Sequence, residues 1–203
     1  MTTEITERKK KATFFAHPQA LVDSDDIGEG TRIWAFAHVM KGAQVGAGCN
    51  LGEHAFVESG ARVGNHVVVK NGVSIWVGVT VEDHVFLGPH CVLTNDPNPR
   101  SYIKKPDAYV ATLIREGATI GANATILCGT TIGRYAFVGA GAVVLHSLPD
   151  YALVVGNPGR QIGWMCYCAN KLPLAAVPGP EVNCTCTHCG RKFQYSGAAL
   201  REI

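Results

Sequence analysis

The last forty residues contain five of the eight cysteines, and the spacing of these cysteines suits a metal ion. A C-x2-C pair followed by Gly190 fits tetrahedral coordination, and a C-x-C pair supplies two further thiols. The predicted ligands of a structural Zn²⁺ are Cys166, Cys168, Cys186 and Cys189. Cys184 or His188 can replace one member of this set, and a metal-free tail with spare thiols is the alternative. In a reducing cytosol, zinc is favoured over disulfides.

Four histidines recur at matched positions and are candidates for a catalytic base. The step from His66 to His84 is three hexapeptides, and the step from His54 to His90 is twice as long. Each stands three residues after an aliphatic residue of a six-residue repeat, near a predicted corner of the chain. His54 directly follows Glu53, so its imidazole is a candidate for assistance by that carboxylate. We take His54 as the candidate base, with a solvated surface histidine as the alternative for all four.

These residues sit on a chain with a strict period of six. An aliphatic residue stands at every sixth position from Leu21 to Leu93, and again from Ile114 to Val144. Four residues after most of them comes a small or β-branched residue. A period of six fits neither a helix nor a plain alternating strand, but it fits a short strand and a turn in each hexapeptide. The pattern predicts an all-β solenoid whose coils bury their aliphatic residues against one another.

The segment between the two runs breaks this period. The step from Leu93 to Ile114 is not a multiple of six, so residues 94–113 are predicted to form an inserted loop. Long loops on a rigid scaffold are where functional sites are usually built. The predicted organisation is a flexible N-terminus at 1–13, a solenoid domain at 14–163 and a Cys-rich segment at 164–203.

Composition excludes some functional classes. The chain has 203 residues and a formal net charge of +2, which gives no reason to expect a nucleic-acid partner. No stretch approaches the length of a membrane span, and the first residues lack the apolar region of a signal peptide. The expected location is therefore the cytoplasm, with no membrane partner.

Several segments resemble hexapeptide-repeat acyltransferases. These are "RIWAFAH" at 32–38, "KNGVSIW" at 70–76, "TNDPNPR" at 94–100 and "VGNPGRQIGWM" at 155–165. Together they are most similar to enzymes that acetylate the free amine of a UDP-linked 3-amino-uronic acid for bacterial surface polysaccharides. The resemblance implies a left-handed parallel β-helix with three hexapeptides in each coil. It also implies acetyl-CoA as co-substrate and a homotrimer with active sites between subunits.

The resemblance also implies roles for individual residues. Asn95 is expected to position the sugar amine, because its amide oxygen can accept a hydrogen bond although it cannot act as a base. Residues expected to bind the sugar nucleotide are Arg32, Trp34, His38, Asn71 and Arg100. Residues expected to contact acetyl-CoA are Ala122, Gly139, Ala140 and Arg160. Glu53 and His54 replace an amide pair that family members often carry, and Glu53 is expected to stack under Asn71 in the substrate site.

Two other functions fit parts of the pattern. A carbonic anhydrase of the same β-helix type binds zinc through three histidines, two of them separated by four residues. Here His90 is followed five positions later by Asn95 instead, and a catalytic zinc site tolerates the loss of a ligand poorly. The second alternative is a non-catalytic trimeric scaffold whose cysteine tail binds a partner.

Overall fold

The computed structural model describes residues 13–103, 109–175, 179–197 and 199–203. Within these residues the chain forms 24 strands, named β1 to β24 in chain order, and no helix. The predicted flexible N-terminus lies outside the described residues except for Thr13, and so do residues 104–108 of the predicted loop. The described part of the chain has no helix of the length and apolarity that a membrane span requires.

Each hexapeptide forms a strand of two or three residues followed by a turn. In a typical unit such as Arg32–Ile33, the first strand residue is exposed and the second is buried. The buried residue is the aliphatic one that recurs at every sixth position, and the small residue four positions later is also buried, as at Ala37. Alternation along so short a strand therefore sends one side chain inward and one outward in every unit.

The strands form three parallel faces and one C-terminal antiparallel sheet. Face A contains β1 Phe15–Ala16, β3 Arg32–Ile33, β6 Asn50–Leu51, β9 Val68–Val69, β12 Phe86–Leu87, β15 Thr119–Ile120, β18 Phe137–Val138, β20 Ala152–Val155 and the antiparallel β21 Arg160–Trp164. Face B contains β2 Leu21–Val22, β4 His38–Val39, β7 Phe56–Val57, β10 Ser74–Ile75, β13 Val92–Leu93, β16 Thr125–Ile126 and β19 Val143–Val144. Face C contains β5 Gln44–Val45, β8 Arg62–Val63, β11 Val79–Val81, β14 Thr112–Ile114 and β17 Thr131–Ile132. Sheet D contains β22 Val182–Thr185, β23 Lys192–Tyr195 and β24 Leu200–Glu202.

The register of the strands confirms that three hexapeptides make one coil. Arg32 in β3 pairs with Asn50 in β6, and Asn50 pairs with Val68 in β9. Phe86 of β12 pairs with Thr119 of β15, which is a longer step along the chain, because the loop after β13 is inserted in that coil. The coils on either side of the loop continue the same three faces, so the insertion leaves the solenoid in phase. The predicted all-β parallel β-helix is confirmed.

Three edges join the faces. The A–B edge comprises residues 17–20, 34–37, 52–55, 70–73, 88–91, 121–124 and 139–142. The B–C edge includes residues 40–43, 58–61, 76–78, 94–103, 109–111 and 127–130. The C–A edge includes residues 46–49, 64–67, 82–85, 115–118 and 133–136. Most coils have one residue with positive φ at each edge, which turns the chain toward the next face. The inserted loop therefore projects from the B–C edge.

The C-terminal segment packs against the last coil. Tyr151, at the start of the last coil of face A, stacks on Tyr135 with ring centroids 5.4 Å apart, and it meets the edge of Phe193 from sheet D at 5.3 Å. Trp164, at the end of β21, packs on Tyr195 at 5.6 Å. A solenoid needs such a cap because its terminal coil has no further neighbour to cover it. Strand β21 runs across the predicted boundary between residues 163 and 164.

Candidate active site and metal centre

A cavity of about 230 Å³ lies on the A–B edge of the N-terminal coils. Its walls are Trp34, Asn50, Gly52, Glu53, Lys70 and Asn71. Three of these residues, Trp34, Glu53 and Asn71, were predicted from the sequence to bind the substrate. They meet because residues one coil apart occupy the same place in successive coils, so 53 lies under 71 and 34 lies in line with 52 and 70.

The Trp34 ring is held in place from three sides. Its indole N–H donates a hydrogen bond to Asn50 Oδ1 at 2.9 Å. The guanidinium carbon of Arg32 lies 5.2 Å from the ring centroid, and Phe15 meets the ring edge-on at 5.8 Å. A cation over an aromatic face at an exposed site contributes about 0.5–1 kcal/mol. Arg32 and Trp34 therefore present a flat apolar surface with a positive charge beside the cavity.

The opposite side of the cavity is polar. Glu53 and Asn71 lie in consecutive coils, joined by the hydrogen bond from Gly72 N–H to the Glu53 carbonyl at 2.9 Å. A Cβ at Gly52 would lie 2.5 Å from Asn71 Oδ1, so this amide needs a glycine below it. The cavity therefore combines a carboxylate, two amides and the Lys70 ammonium with an aromatic ring.

Sequence reasoning missed Asn50 and Lys70. Asn50 follows Arg32 by one coil, and Lys70 follows Trp34 by two coils. The same rule that placed Glu53 under Asn71 places both of them in this cavity. Spacing was therefore a sufficient signal for these two residues.

His38 and His54 lie outside the walls of the cavity. His38 stands on face B, where its Nε2 is 3.0 Å from Asp23 Oδ2 and its ring meets the edge of Phe56 at 5.6 Å. The His54 ring stacks on Phe36 with centroids 5.1 Å apart. Within the described residues no hydrogen bond joins the Glu53 carboxylate to the His54 ring. The roles of His38 in binding and of His54 as a base stay predictions.

The four repeated histidines share a backbone conformation that explains their positions. His54, His66, His84 and His90 have φ between 55° and 59°, the left-handed region that glycine usually occupies. Histidine and asparagine are enriched among the non-glycine residues that adopt this region. In the same turn of other coils the chain has Gly48 or Gly72. The histidine pattern is thus a consequence of corner geometry, whatever further role one of them has.

His66 and His84 are adjacent, as their spacing of one coil predicts. Their rings stack with centroids 5.0 Å apart. Beside them, the backbone N–H of Asn65 donates to Asp83 Oδ1 at 2.7 Å, and the Asn65 side-chain amide adds longer contacts. These hydrogen bonds, the backbone one first, lower the pKa of the Asp83 carboxyl below its ordinary value. This group lies on the C–A edge, away from the cavity.

The base of the inserted loop is anchored by hydrogen bonds. Val110 N–H donates to the Asn95 carbonyl at 2.8 Å, and Cys128 N–H donates to Thr94 Oγ1 at 2.9 Å. Asn95 is half-buried at this base, whereas Arg100 is exposed further out. Asn95 leaves face B at the B–C edge, while the cavity lies at the A–B edge. One chain therefore does not bring Asn95 and Arg100 to the cavity.

The residues predicted to contact acetyl-CoA lie further along the A–B edge. A Cβ at Gly121 would come within 2.5 Å of Ala140 N, and one at Gly139 would come within 2.8 Å of Val155 Cγ1. Close stacking of coils therefore accounts for the glycines at 121 and 139. Arg160 is exposed and pairs in register with Val155 at the end of the same edge. The cavity and the predicted cofactor residues thus share one edge of the molecule.

The predicted metal ligands come together in the C-terminal segment. Every Sγ atom of the predicted quartet lies within 4.8 Å of the others. Cys166 Sγ is 3.5 Å from Cys189 Sγ, and Cys168 Sγ is 3.7 Å from Cys186 Sγ. The alternatives Cys184 and His188 are not part of this group. Within the described residues, the group that could hold a metal ion is therefore the predicted quartet, and its role as a metal site stays a prediction.

Comparison with known proteins agrees with the fold and identifies the family. A model of the bacterial transferase hexapeptide (six repeats) matches residues 26–59 and 111–146. The chain is 44% identical over 191 residues to a dTDP-3-amino-3,6-dideoxy-alpha-D-galactopyranose 3-N-acetyltransferase of Aneurinibacillus thermoaerophilus, and the match covers 94% of this chain and 96% of that protein. This protein belongs to the hexapeptide-repeat acetyltransferases.

A second sequence and one solved structure are similar to parts of this hexapeptide-repeat acetyltransferase. A probable acetyltransferase of Mycobacterium tuberculosis is 30% identical over 112 residues, which are 50% of this chain and 37% of that protein. The acetyltransferase domain of PglB from Neisseria gonorrhoeae, solved in complex with acetyl coenzyme A, superimposes with a TM-score of 0.50 at 23% identity. That likeness covers 73% of this chain and 57% of the other, and it concerns the fold alone.

Proposed function

We propose that this hexapeptide-repeat acetyltransferase transfers the acetyl group of acetyl-CoA to the 3-amino group of a dTDP-linked 3-amino-3,6-dideoxyhexose. The main support for this proposal is the 44% identity to an enzyme named for that reaction. The match covers 94% of this chain and 96% of the relative. The relative's substrate contains dTDP, which favours dTDP over the UDP that the sequence motifs suggested. It is also a 6-deoxy sugar, so it gives no support to a 3-amino-uronate.

The chemistry needs positioning more than a strong base. The neutral sugar amine attacks the thioester carbonyl, a C–N bond forms, and the C–S bond breaks to release CoA. The proton lost by the nitrogen passes to the leaving sulfur or to solvent. Amino-sugar amines are weakly basic, so a neutral fraction exists near neutral pH, and holding the reactants in line can supply much of the rate. Asn95 Oδ1 is suited to accept from the amine and orient it.

The cavity suits a sugar nucleotide. The Trp34 ring offers a flat surface on which a sugar or a nucleobase can pack. Arg32 and Lys70 supply two cations for the diphosphate, and a guanidinium can bind phosphate oxygens in a bidentate manner. Because the proposed sugar has no carboxylate, we assign Arg32 to the diphosphate instead of to a uronate. Glu53 and Asn71 are then left to bind hydroxyl groups of the sugar.

A homotrimer is part of the proposal, because Asn95 and the cavity lie on different edges of one chain. In a closed cyclic assembly the same two surfaces of each subunit meet all the way round. The loop of one subunit would then reach the A–B edge of its neighbour. The exposed side chains of Tyr102 and Tyr109 on this loop, 80% and 55% accessible, supply apolar surface for that contact.

The test of the reaction is release of CoA thiol from acetyl-CoA by the purified protein. The panel contains dTDP- and UDP-linked 3-amino sugars. The control for each is the same nucleotide sugar with a hydroxyl group in place of the amine at C3 of the sugar. We expect thiol release with the dTDP-linked 3-amino sugar, and mass spectrometry of the product should show one added acetyl group. Release at the same rate with the C3 hydroxyl controls, or no release with any amine, would refute the proposed reaction.

The test of the shared site mixes two impaired variants and measures turnover with the sugar nucleotide well below its KM, where each variant alone has at most about a tenth of the wild-type rate. Asn95→Ala removes the loop amide, and Trp34→Ala removes the cavity wall. Random mixing of the two chains in a trimer should restore about a quarter of the sites. Each site takes its loop from one subunit and its cavity from the next, and each of these two parts is intact in about half of the sites. Recovery to that level after coexpression supports sites between subunits. No recovery in mixed trimers of confirmed composition would contradict them.

A further inference from the structure

We propose that Cys166, Cys168, Cys186 and Cys189 bind one structural Zn²⁺ that fastens the C-terminal segment to the last coil. This inference is independent of the proposed reaction. It rests on the mutual geometry of the four thiols, on the turns that carry them, and on what they are buried against.

The distances fit a tetrahedral ion. Zinc–sulfur bonds of about 2.3 Å in a tetrahedron place the sulfur atoms about 3.8 Å apart. The Sγ atoms of Cys166 and Cys189 are 3.5 Å apart, and those of Cys168 and Cys186 are 3.7 Å apart. No two of the four Sγ atoms are more than 4.8 Å apart. A disulfide would need sulfur atoms about 2.05 Å apart, so neither pair is bonded. Four thiolates also leave no open position on zinc, which makes the site structural.

Two tight turns present the thiols. In the first, Ala169 N–H donates to the Cys166 carbonyl at 2.9 Å, and Ala169 has φ of 61°. In the second, Gly190 N–H donates to the Cys186 carbonyl at 3.0 Å, and Gly190 has φ of 77°. In both turns the residue directly after the second cysteine is in the left-handed region, and its N–H donates to the carbonyl of the first cysteine. This shared geometry orients each pair of thiols toward the other.

Hydrogen bonds to sulfur support the thiolate ligands. Asn170 Nδ2 lies 3.5 Å from Cys168 Sγ and 3.2 Å from the Cys168 carbonyl. The Arg191 guanidinium stacks on the Tyr167 ring at 4.3 Å and forms an ion pair with Glu202, which ties the two turns together on the outside. Such neighbours of metal ligands fix their orientation and raise the affinity for the metal.

The position of the quartet shows what a bound metal would stabilise. The first turn follows β21, and the second joins β22 to β23, so the four thiols connect face A to sheet D. Cys166 and Cys186 are each 2% exposed and share a core cluster with Tyr151 of the last coil. A segment of about 40 residues buries too little surface to be stable without a metal, a disulfide or packing against another unit. Zinc would add metal–ligand bonds to the aromatic contacts that already join sheet D to the solenoid.

The test is metal analysis of the full-length protein purified without added zinc. Inductively coupled plasma mass spectrometry should find one zinc per chain. Cys186→Ser and Cys189→Ser should lose it, whereas Cys184→Ser should keep it. Cys184 is the matched control, since it lies in β22 two residues before Cys186 but outside the quartet. Iron in place of zinc, or equal zinc content in Cys184→Ser and Cys189→Ser, would overturn the assignment.

A second measurement does not depend on the folding of variants. Hydrogen exchange of the wild-type protein is compared before and after zinc removal by a chelator, with the zinc-restored protein as control. We expect faster exchange in residues 164–203 and around Tyr151, with the coils from 33 to 138 unchanged. Unchanged exchange in 164–203 after verified zinc removal would show that the metal does not fasten this segment.

Discussion

The substitution Gly121→Ala distinguishes two explanations for the small residues of the A–B edge. One is the close stacking of successive coils, and the other is space for CoA. In Gly121→Ala the new Cβ would lie 2.5 Å from Ala140 N and 2.7 Å from Gly139 C. These are backbone atoms of the next coil, which is held in place by the pairing of Thr119 with Phe137. The clash can be relieved only by separating the coils. Overpacking of this kind costs about 1–3 kcal/mol or more, and because backbone must move we expect about 3 kcal/mol.

The control is Gly141→Ala, on the same edge one coil later. A Cβ there meets nothing within 4 Å, although the φ of +68° is unfavourable for alanine. That conformation costs about 1–2 kcal/mol, and Asn123 already adopts it in the preceding coil. At about 2–4 °C per kcal/mol for a chain of this size, the melting temperature should fall by about 6–12 °C in Gly121→Ala and by less than about 8 °C in the control.

The assay is thermal unfolding at one protein concentration, followed by circular dichroism with and without CoA. If coil stacking requires Gly121, the Gly121→Ala variant melts lower than the control in both conditions. If the edge is small only to admit CoA, Gly121→Ala keeps the wild-type melting temperature, Gly141→Ala loses only what its φ costs, and both variants lose the stabilisation by CoA. A melting temperature of Gly121→Ala within about 2 °C of wild type would refute the stacking argument.

Three further predictions concern the loop, the cavity and acid stability. Asn95→Ala should lower kcat by about 10²–10³ with an unchanged melting temperature, since the Val110 hydrogen bond uses the backbone carbonyl; wild-type kcat would contradict its role. Trp34→Ala should raise KM for the sugar nucleotide about tenfold, equivalent to about 1.4 kcal/mol, and leave KM for acetyl-CoA unchanged; the reverse pattern would place Trp34 in the cofactor site. The pKa of Asp83 is depressed in the folded state by hydrogen bonds from Asn65, so its stabilisation is present above the unfolded pKa of about 3.9 and is lost as pH falls through the folded pKa. Asp83→Asn should therefore melt lower than wild type at pH 7, and this deficit should shrink as the pH falls below the unfolded pKa toward the folded pKa of Asp83. A deficit that does not change with pH would refute this account.

Residue type and spacing determined the architecture of this protein. An aliphatic residue at every sixth position can be buried only if the chain turns once per hexapeptide, and side chains three hexapeptides apart then stack. The same spacing was enough to place Glu53 under Asn71 and His66 beside His84. It would also have placed Asn50 and Lys70 in the cavity, because contacts between neighbouring coils are a fixed distance apart in the sequence.

Tertiary structure decided what a fixed spacing cannot. Which cysteines form the quartet depends on how sheet D folds back on the last coil, and that contact follows no repeat; it excluded Cys184 from the group. Only the three-dimensional faces show that Asn95 leaves the B–C edge while the cavity lies on the A–B edge. The periodic part of the chain is determined by local stacking, so its sequence is sufficient. The loop and the cap depend on contacts between segments with no common period, and these exist only in the folded chain.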